Sequence, residues 1–435
     1  MPDSAHRVRL EGVDFLTAFP TLRLFDSFRM ALQPTKLLLG LLMLLLIYFG
    51  GVGLDFIWGE QEGPSNSSYY IFESTLNLEL AYFSQLITAA VSLDLGIGAL
   101  SASSDFEAGR LGVIGALRGM VIDVPAGVWE QHPWFFVLLV SHVGLVLMLM
   151  GGSIARLAAT QACAGTTVGL FETARFTLPR AAWFIVSPLI SLFIAGVIWL
   201  LLAVVGVVLF NVPGLNVVGG LLFGLMLFVG FIAACCVIFA ALGAGMLPSA
   251  LAVEGTDAFD VVSRVFTFLL YRPIRYLLLT VVMMVYGALT YLVVGTVVFF
   301  TLWFARSATG VWVGGFDELL PVPQLGQPLG DLNTSGLSST EKATSWLIRV
   351  WSALLFGVSI AYAASYFFTA QTWLYLLLRR DVDGTAFEEY AEEPDSQVTF
   401  VPSDAQATEK VEPAAKVGME SEVESSAGND ADADS

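Results

Sequence analysis

Three histidines, His6, His132 and His142, and three cysteines, Cys163, Cys235 and Cys236, are the residues best suited to metal or nucleophilic chemistry in this 435-residue chain. Such chemistry needs matched, close spacing, and the sequence holds no CxxC and no Cys/His zinc set. HExxH, GxSxG and the phosphate-cradling GxxxxGK are missing too. The sequence therefore implies no cofactor and no enzyme. What remains is a handful of ionisable residues in apolar surroundings. His142 lies eight residues inside an apolar run and Asp55 near the end of another, and together they form the candidate intramembrane polar site. An imidazole at such depth either bonds a neighbouring helix or serves a solute pathway. Asp55, close to Trp58, is expected among hydrated headgroups. Asp260 and Arg264 stand four apart, the spacing of a helical ion pair, and are the candidate interfacial pair. Asp123 and His132 are the one acid and imidazole placed for a lipid-modifying reaction at an outer interface.

The elements that must carry these residues are long and apolar. Of the chain, 56% is hydrophobic and 13% charged, a composition of polytopic membrane proteins. A hydrocarbon core of roughly 30 Å needs about 20 helical residues. Six runs meet that length: 37–58, 134–154, 183–210, 216–247, 276–304 and 346–378. The third and fourth contain no charged residue and are separated only by Asn211-Val212-Pro213-Gly214-Leu215, a turn signal that makes them a hairpin. Gly220 and Gly224 in its second arm form a GxxxG. Pro34 and Lys36, Pro179 and Arg180, and Pro273 and Arg275 precede the first, third and fifth runs, so one design repeats. An amphipathic approach helix ends at a proline, a cation marks the interface, and a long span follows. The fold class is an all-α membrane protein of about six transmembrane helices in three hairpins, with interfacial approach helices.

Residues 1–35 read as an N-terminal interfacial segment, 36–58 as the first span and 134–380 as the five remaining helices with an outer loop at 307–344. Residues 59–133 form an extracytoplasmic insert with amphipathic stretches at 72–100 and 106–122. Residues 381–435 carry 16 acidic residues against two lysines, which is −14 of the total −18, and are expected to be a disordered tail. Alternating the spans leaves 15 of the 20 Lys and Arg on the side of the termini and 5 on the other. The positive-inside rule then puts both termini in the cytoplasm, with the bacterial inner membrane as the expected location. Basic, aromatic-interleaved surfaces of a nucleic-acid binder do not occur. Membrane lipids are the expected partners, together with a protein reached through the acidic tail.

The run Ala252 to Asp260, with Ser263-Arg264 and Arg272-Pro273-Ile274-Arg275-Tyr276, resembles a helix-start pattern in uncharacterised polytopic bacterial membrane proteins. Their arrangement over about residues 134–380 is similar to the membrane domain attached to some glycerophosphodiester phosphodiesterases. The resemblance implies a six-helix inner-membrane bundle. It implies no phosphodiesterase activity, because the catalytic barrel has no counterpart here. A non-enzymatic scaffold or accessory subunit is the function expected, and a transporter or channel for a small or lipid-like solute is the alternative, turning on His142.

Overall fold

Proline fixes φ near the helical value and lacks the amide that a first helical turn cannot use, so it favours helix starts. Pro34, Pro133 and Pro273 each open a long helix in the computed structural model, which describes residues 20–62, 68–96, 112–312 and 338–387. All of these lie within one unit, Met1–Ala391. Residues 1–19 of the expected 1–35 segment, most of the outer loop at 307–344 and the tail beyond 387 fall outside the described residues.

A 3-10 turn at Pro20–Phe25 leads into α1 (Asp26–Ala31), then α2 (Pro34–Trp58). Gln61–Glu62 and Ser68–Tyr69 pair as a two-residue antiparallel ladder that brings the chain into α3 (Ile71–Val91). Next come α4 (Gly112–Arg118), a π-turn (Gly119–Asp123), α5 (Val124–Gln131) and α6 (Pro133–Ala164). After α7 (Leu170–Thr177) come α8 (Ala181–Asn211) and α9 (Leu215–Gly243), which are joined by a short turn and, among the described residues, pack along each other more extensively than any other pair. The chain finishes with α10 (Leu247–Glu254), α11 (Ala258–Tyr271), α12 (Pro273–Gly310) and α13 (Ser339–Asp383).

Helix ends follow local chemistry. Asp257 accepts the Asp260 amide at 2.8 Å to start α11, and Ser338 and Glu341 make a reciprocal capping box at the start of α13. Gly165, Gly255 and Gly384 adopt left-handed φ of 69°, 65° and 70° to end α6, α10 and α13. Inside α8, Pro188 cannot donate to the carbonyl of Phe184, and the neighbouring Ser187 hydroxyl does so instead at 3.2 Å. In a solvent without water that substitution keeps the helix intact.

Among the described residues seven helices are long and apolar enough to cross a membrane, one more than the six runs read from the sequence. The additional one is 112–131, which falls within the expected insert, partly in its amphipathic stretch at 106–122. The π-turn widens the helix to more than four residues per turn, so that side chains five apart approach one another. Arg118 Nε and Asp123 Oδ1 meet at 3.4 Å across this turn. The other long helices exceed the expected runs at one or both ends, except that α9 stops at Gly243 where the apolar run continues to Leu247. The cause is α10, whose residues Leu247 to Val253 are all buried.

The main apolar core gathers at the end of the bundle rich in Arg and Lys, around α1, α10, α11 and the second half of α13. Tyr366 donates to Met283 O at 2.8 Å, Tyr276 to Leu242 O at 2.6 Å and Ser365 to Ala31 O at 2.9 Å. Each hydroxyl thus ties a long helix to a separate element through a backbone carbonyl. Phe387 is also buried, beneath Arg23 and Arg380 and against Trp373, so the ordered chain runs past the expected boundary at 381.

Candidate functional site

The residues that could do chemistry divide between the two ends of the bundle. At the end formed by residues 59–133, a groove of about 320 Å³ opens between α3 and the π-turn–α5 segment. Asp123 and His132 line it together with Tyr69, Tyr82, Ser74 and Gln131. The sequence names Asp123 and His132 as a pair, and the fold brings both to one cavity. His132 Nε2 lies 3.4 Å from the Tyr69 hydroxyl, while Asp123 is held by Arg118. Gly119 is required behind the groove, because a Cβ there would collide with the Tyr82 ring. Burial, with the nearby carboxylates of Asp123 and Glu79, holds the Tyr82 phenol above its usual range. Glu79 itself is pushed up to about 7 by burial. An acid, an imidazole and phenols at the edge of a largely apolar recess can bind and orient the head of an amphiphile. Among the described residues no group of three or more His, Cys, Asp or Glu is arranged to hold a metal ion.

The candidate intramembrane residues take structural positions. Asp55 is 6% exposed, not hydrated as expected, and its two oxygens accept the amides of Phe72 and Glu73 at 2.8 and 3.2 Å. A carboxylate at the first turn of α3 satisfies amides that have no intrahelical partner and complements the helix dipole. Asp55 therefore anchors the insert to α2. His142 Nε2 stands 3.1 Å from the carbonyl of Leu46, across the α2–α6 interface. Its ring lies where a side chain at residue 50 would be, so Gly50 makes the room. Asp55 and His142 thus act at two separate junctions of α2.

At the opposite end the expected pair forms, with Arg264 Nε and Asp260 Oδ2 at 3.0 Å. It belongs to a larger cluster. Glu254, at the end of buried α10, accepts the Tyr375 hydroxyl at 2.7 Å, lies 3.0 Å from Arg379 and 3.6 Å from Arg264. Glu254 and Arg379 side chains are each only 9% exposed. Nearby, Arg156 donates to Ala252 O at 2.9 Å and stacks over Phe176 at 3.8 Å, and Arg180 also stacks on Phe176 at 4.1 Å. Lys36 is fully buried and donates to Gln161 Oε1 at 3.0 Å. The Glu254–Arg379, Arg156–Ala252 and Lys36–Gln161 contacts escape sequence reasoning because their partners are more than 90 positions apart, and nothing local marks Arg379 or Lys36 as different from boundary cations. The faint available signal is Glu254, the carboxylate that directly follows the mostly apolar stretch from Leu247 to Val253.

The α8–α9 hairpin supplies the third feature. Only 6% and 0% of the most apolar stretches of its two helices are buried, against 17% to 28% in the other candidate spans. Gly196, Gly220 and Gly224 have nothing within 4 Å of the place a Cβ would occupy.

No protein-family model, curated protein or solved structure matches this chain.

Proposed function

We propose that the chain is a non-enzymatic integral membrane scaffold or accessory subunit, and that the α8–α9 hairpin is the surface it offers to another membrane protein. The observation that carries this reading is the uncovered glycine face of the hairpin. A lipid-facing surface is well served by Leu, Val and Phe, which this hairpin has in abundance. Glycine in a helix interior costs roughly 0.5–1 kcal/mol relative to alanine, and lipid returns none of it. A second helix does, by approaching closely over the missing side chains. Gly220 and Gly224 lie one turn apart on the same face of α9, next to Leu221 at 83% exposure. The bundle behind the hairpin is braced by buried hydrogen bonds and ion pairs, which suits a rigid platform. His142, on which transport would turn, bonds one helix to another, and this favours the platform too.

In this reading the Arg- and Lys-rich end lies in the cytoplasm of a bacterial inner-membrane protein, the groove faces outward, and the acidic tail adds a second contact for a basic partner. Affinity capture from native membranes tests it. A partner should co-purify with the full chain and be lost with Gly220→Ile/Gly224→Ile. A chain ending at Ala391, which keeps Phe387 in place, should retain it more weakly. If nothing co-purified with any of the three, the scaffold function would fail.

A second reading rests on the groove, because Asp123 and His132 share one cavity. There the chain would act on a lipid headgroup, with the carboxylate and imidazole as base and acid. Lipid turnover by the purified protein in vesicles should then drop by a factor of roughly 100 or more in Asp123→Asn and His132→Ala. Unchanged turnover in both variants removes this reading.

A further inference from the structure

Where α12 leaves the basic end of the bundle, a groove of about 520 Å³ opens between the first turn of that helix and the segment around Thr21. Its rim is cationic and polar, with Arg272, Arg275 and Thr21, and its wall is apolar, with Ile274, Leu278 and Leu279. Ile274 and Leu278 are 76% and 60% exposed, so the wall is open to whatever surrounds the bundle. Arg275 pairs with Asp381 and remains 42% exposed. Arg272 and Arg380 lie close enough to act on the same carboxylate, which leaves three guanidinium groups around one negative charge. Among the described residues Arg272 has no ion-pair partner. The cations occur at the very start of a membrane-length helix, and the exposed leucine and isoleucine follow within two turns. That is the vertical order of a phospholipid, with phosphate above and acyl carbons below.

We propose that this groove is a binding site for an anionic diacyl phospholipid, its phosphate between Arg272 and Arg275 and its chains against Ile274, Leu278 and Leu279. Charge complementarity selects the headgroup, since Arg272, Arg275 and Arg380 share the single carboxylate of Asp381 and the positive charge left over favours a net negative lipid over a zwitterionic one. The apolar wall selects a lipid over a free phosphate, which would leave that surface uncovered. The site does not depend on the partner proposed for the hairpin, because it lies on α12 and the segment before α1.

Native mass spectrometry of detergent-purified protein, titrated with phosphatidylglycerol or with phosphatidylcholine of the same chains, tests the proposal. The wild type should retain phosphatidylglycerol about tenfold better or more. Arg272→Gln/Arg275→Gln should erase that preference. Arg272→Gln alone, which breaks no ion pair, should reduce it severalfold with an unchanged melting temperature, and so separates lipid binding from folding. Inorganic phosphate at millimolar concentration should not displace the lipid. Equal retention of the two lipids, an unchanged preference in the double variant, or displacement by phosphate alone would each overturn it.

Discussion

Glu254→Ala lowers the unfolding free energy by about 3–5 kcal/mol, the range expected when one partner is removed from a buried ion pair. Three groups lose their acceptor at once: the Tyr375 hydroxyl, the Arg379 guanidinium and, at longer range, Arg264. Arg379 has little water available as a substitute, since its side chain is 9% exposed. The Asp260–Arg264 pair is a poor comparison for size, because both of its side chains are 38% exposed and such pairs contribute about 0–1 kcal/mol. Glu254→Gln keeps an oxygen for Tyr375 but leaves the Arg379 charge uncompensated, so its loss should be intermediate. Equilibrium unfolding in detergent micelles measures the series. A loss under about 1 kcal/mol for Glu254→Ala would mean that α10 is not held by this cluster.

Gly40 and Gly53 belong to the same helix and should respond to the same substitution with opposite signs. A Cβ at Gly40 would stand 2.6 Å from the carbonyl oxygen of Ala361 and 3.2 Å from its Cα, both backbone atoms of α13. Backbone cannot rotate aside as a side chain does, so α2 and α13 must separate. Overpacking of this kind costs about 1–3 kcal/mol, against which better helix propensity returns at most about 1 kcal/mol. Gly40→Ala is therefore destabilising by about 1–2 kcal/mol, and Gly40→Val by more. At Gly53 nothing lies within 4 Å, so alanine there keeps the propensity gain and stabilises by up to about 1 kcal/mol. Melting temperatures that moved in the same direction for both alanine variants would contradict the close α2–α13 crossing.

Much of this architecture is legible in the sequence, because helices in an apolar solvent are dictated by length and by the absence of charge. The hairpin of α8 and α9, the proline-led starts of α2 and α12 and the Asp260–Arg264 pair all follow from neighbours within a few residues. The joint placement of Asp123 and His132 is legible for the same reason, since nine residues of mostly helical chain separate them. Other features depend on distant partners. Asp55 is read as hydrated because its own surroundings suggest an interface, whereas it caps α3 through the amides of residues 72 and 73. Lys36 is read as a boundary cation, yet Gln161 and close packing bury it completely. Residues 112–131 read as part of the insert, yet α4, the π-turn and α5 join into one helical stretch of membrane-spanning length. The burial of α10 is the largest departure. Its polar flanks, Pro248-Ser249 and Glu254-Gly255, resemble a loop, and only the converging α6, α8, α11 and α13 supply the cover that makes it core.

The central claim is that a membrane protein covers the glycine face of the α8–α9 hairpin, and photo-crosslinking within native membranes tests it most directly. A photoreactive residue placed at Leu221, beside Gly220 and Gly224, should yield one discrete protein adduct. The same residue at Phe193, on the other arm and 72% exposed, serves as the lipid-facing comparison and should give only lipid adducts. The Leu221 adduct should vanish in Gly220→Ile/Gly224→Ile while the Phe193 pattern stays the same. Lipid adducts alone at both positions, in wild type and variant alike, would show the hairpin to be an ordinary lipid-facing surface and contradict the scaffold function.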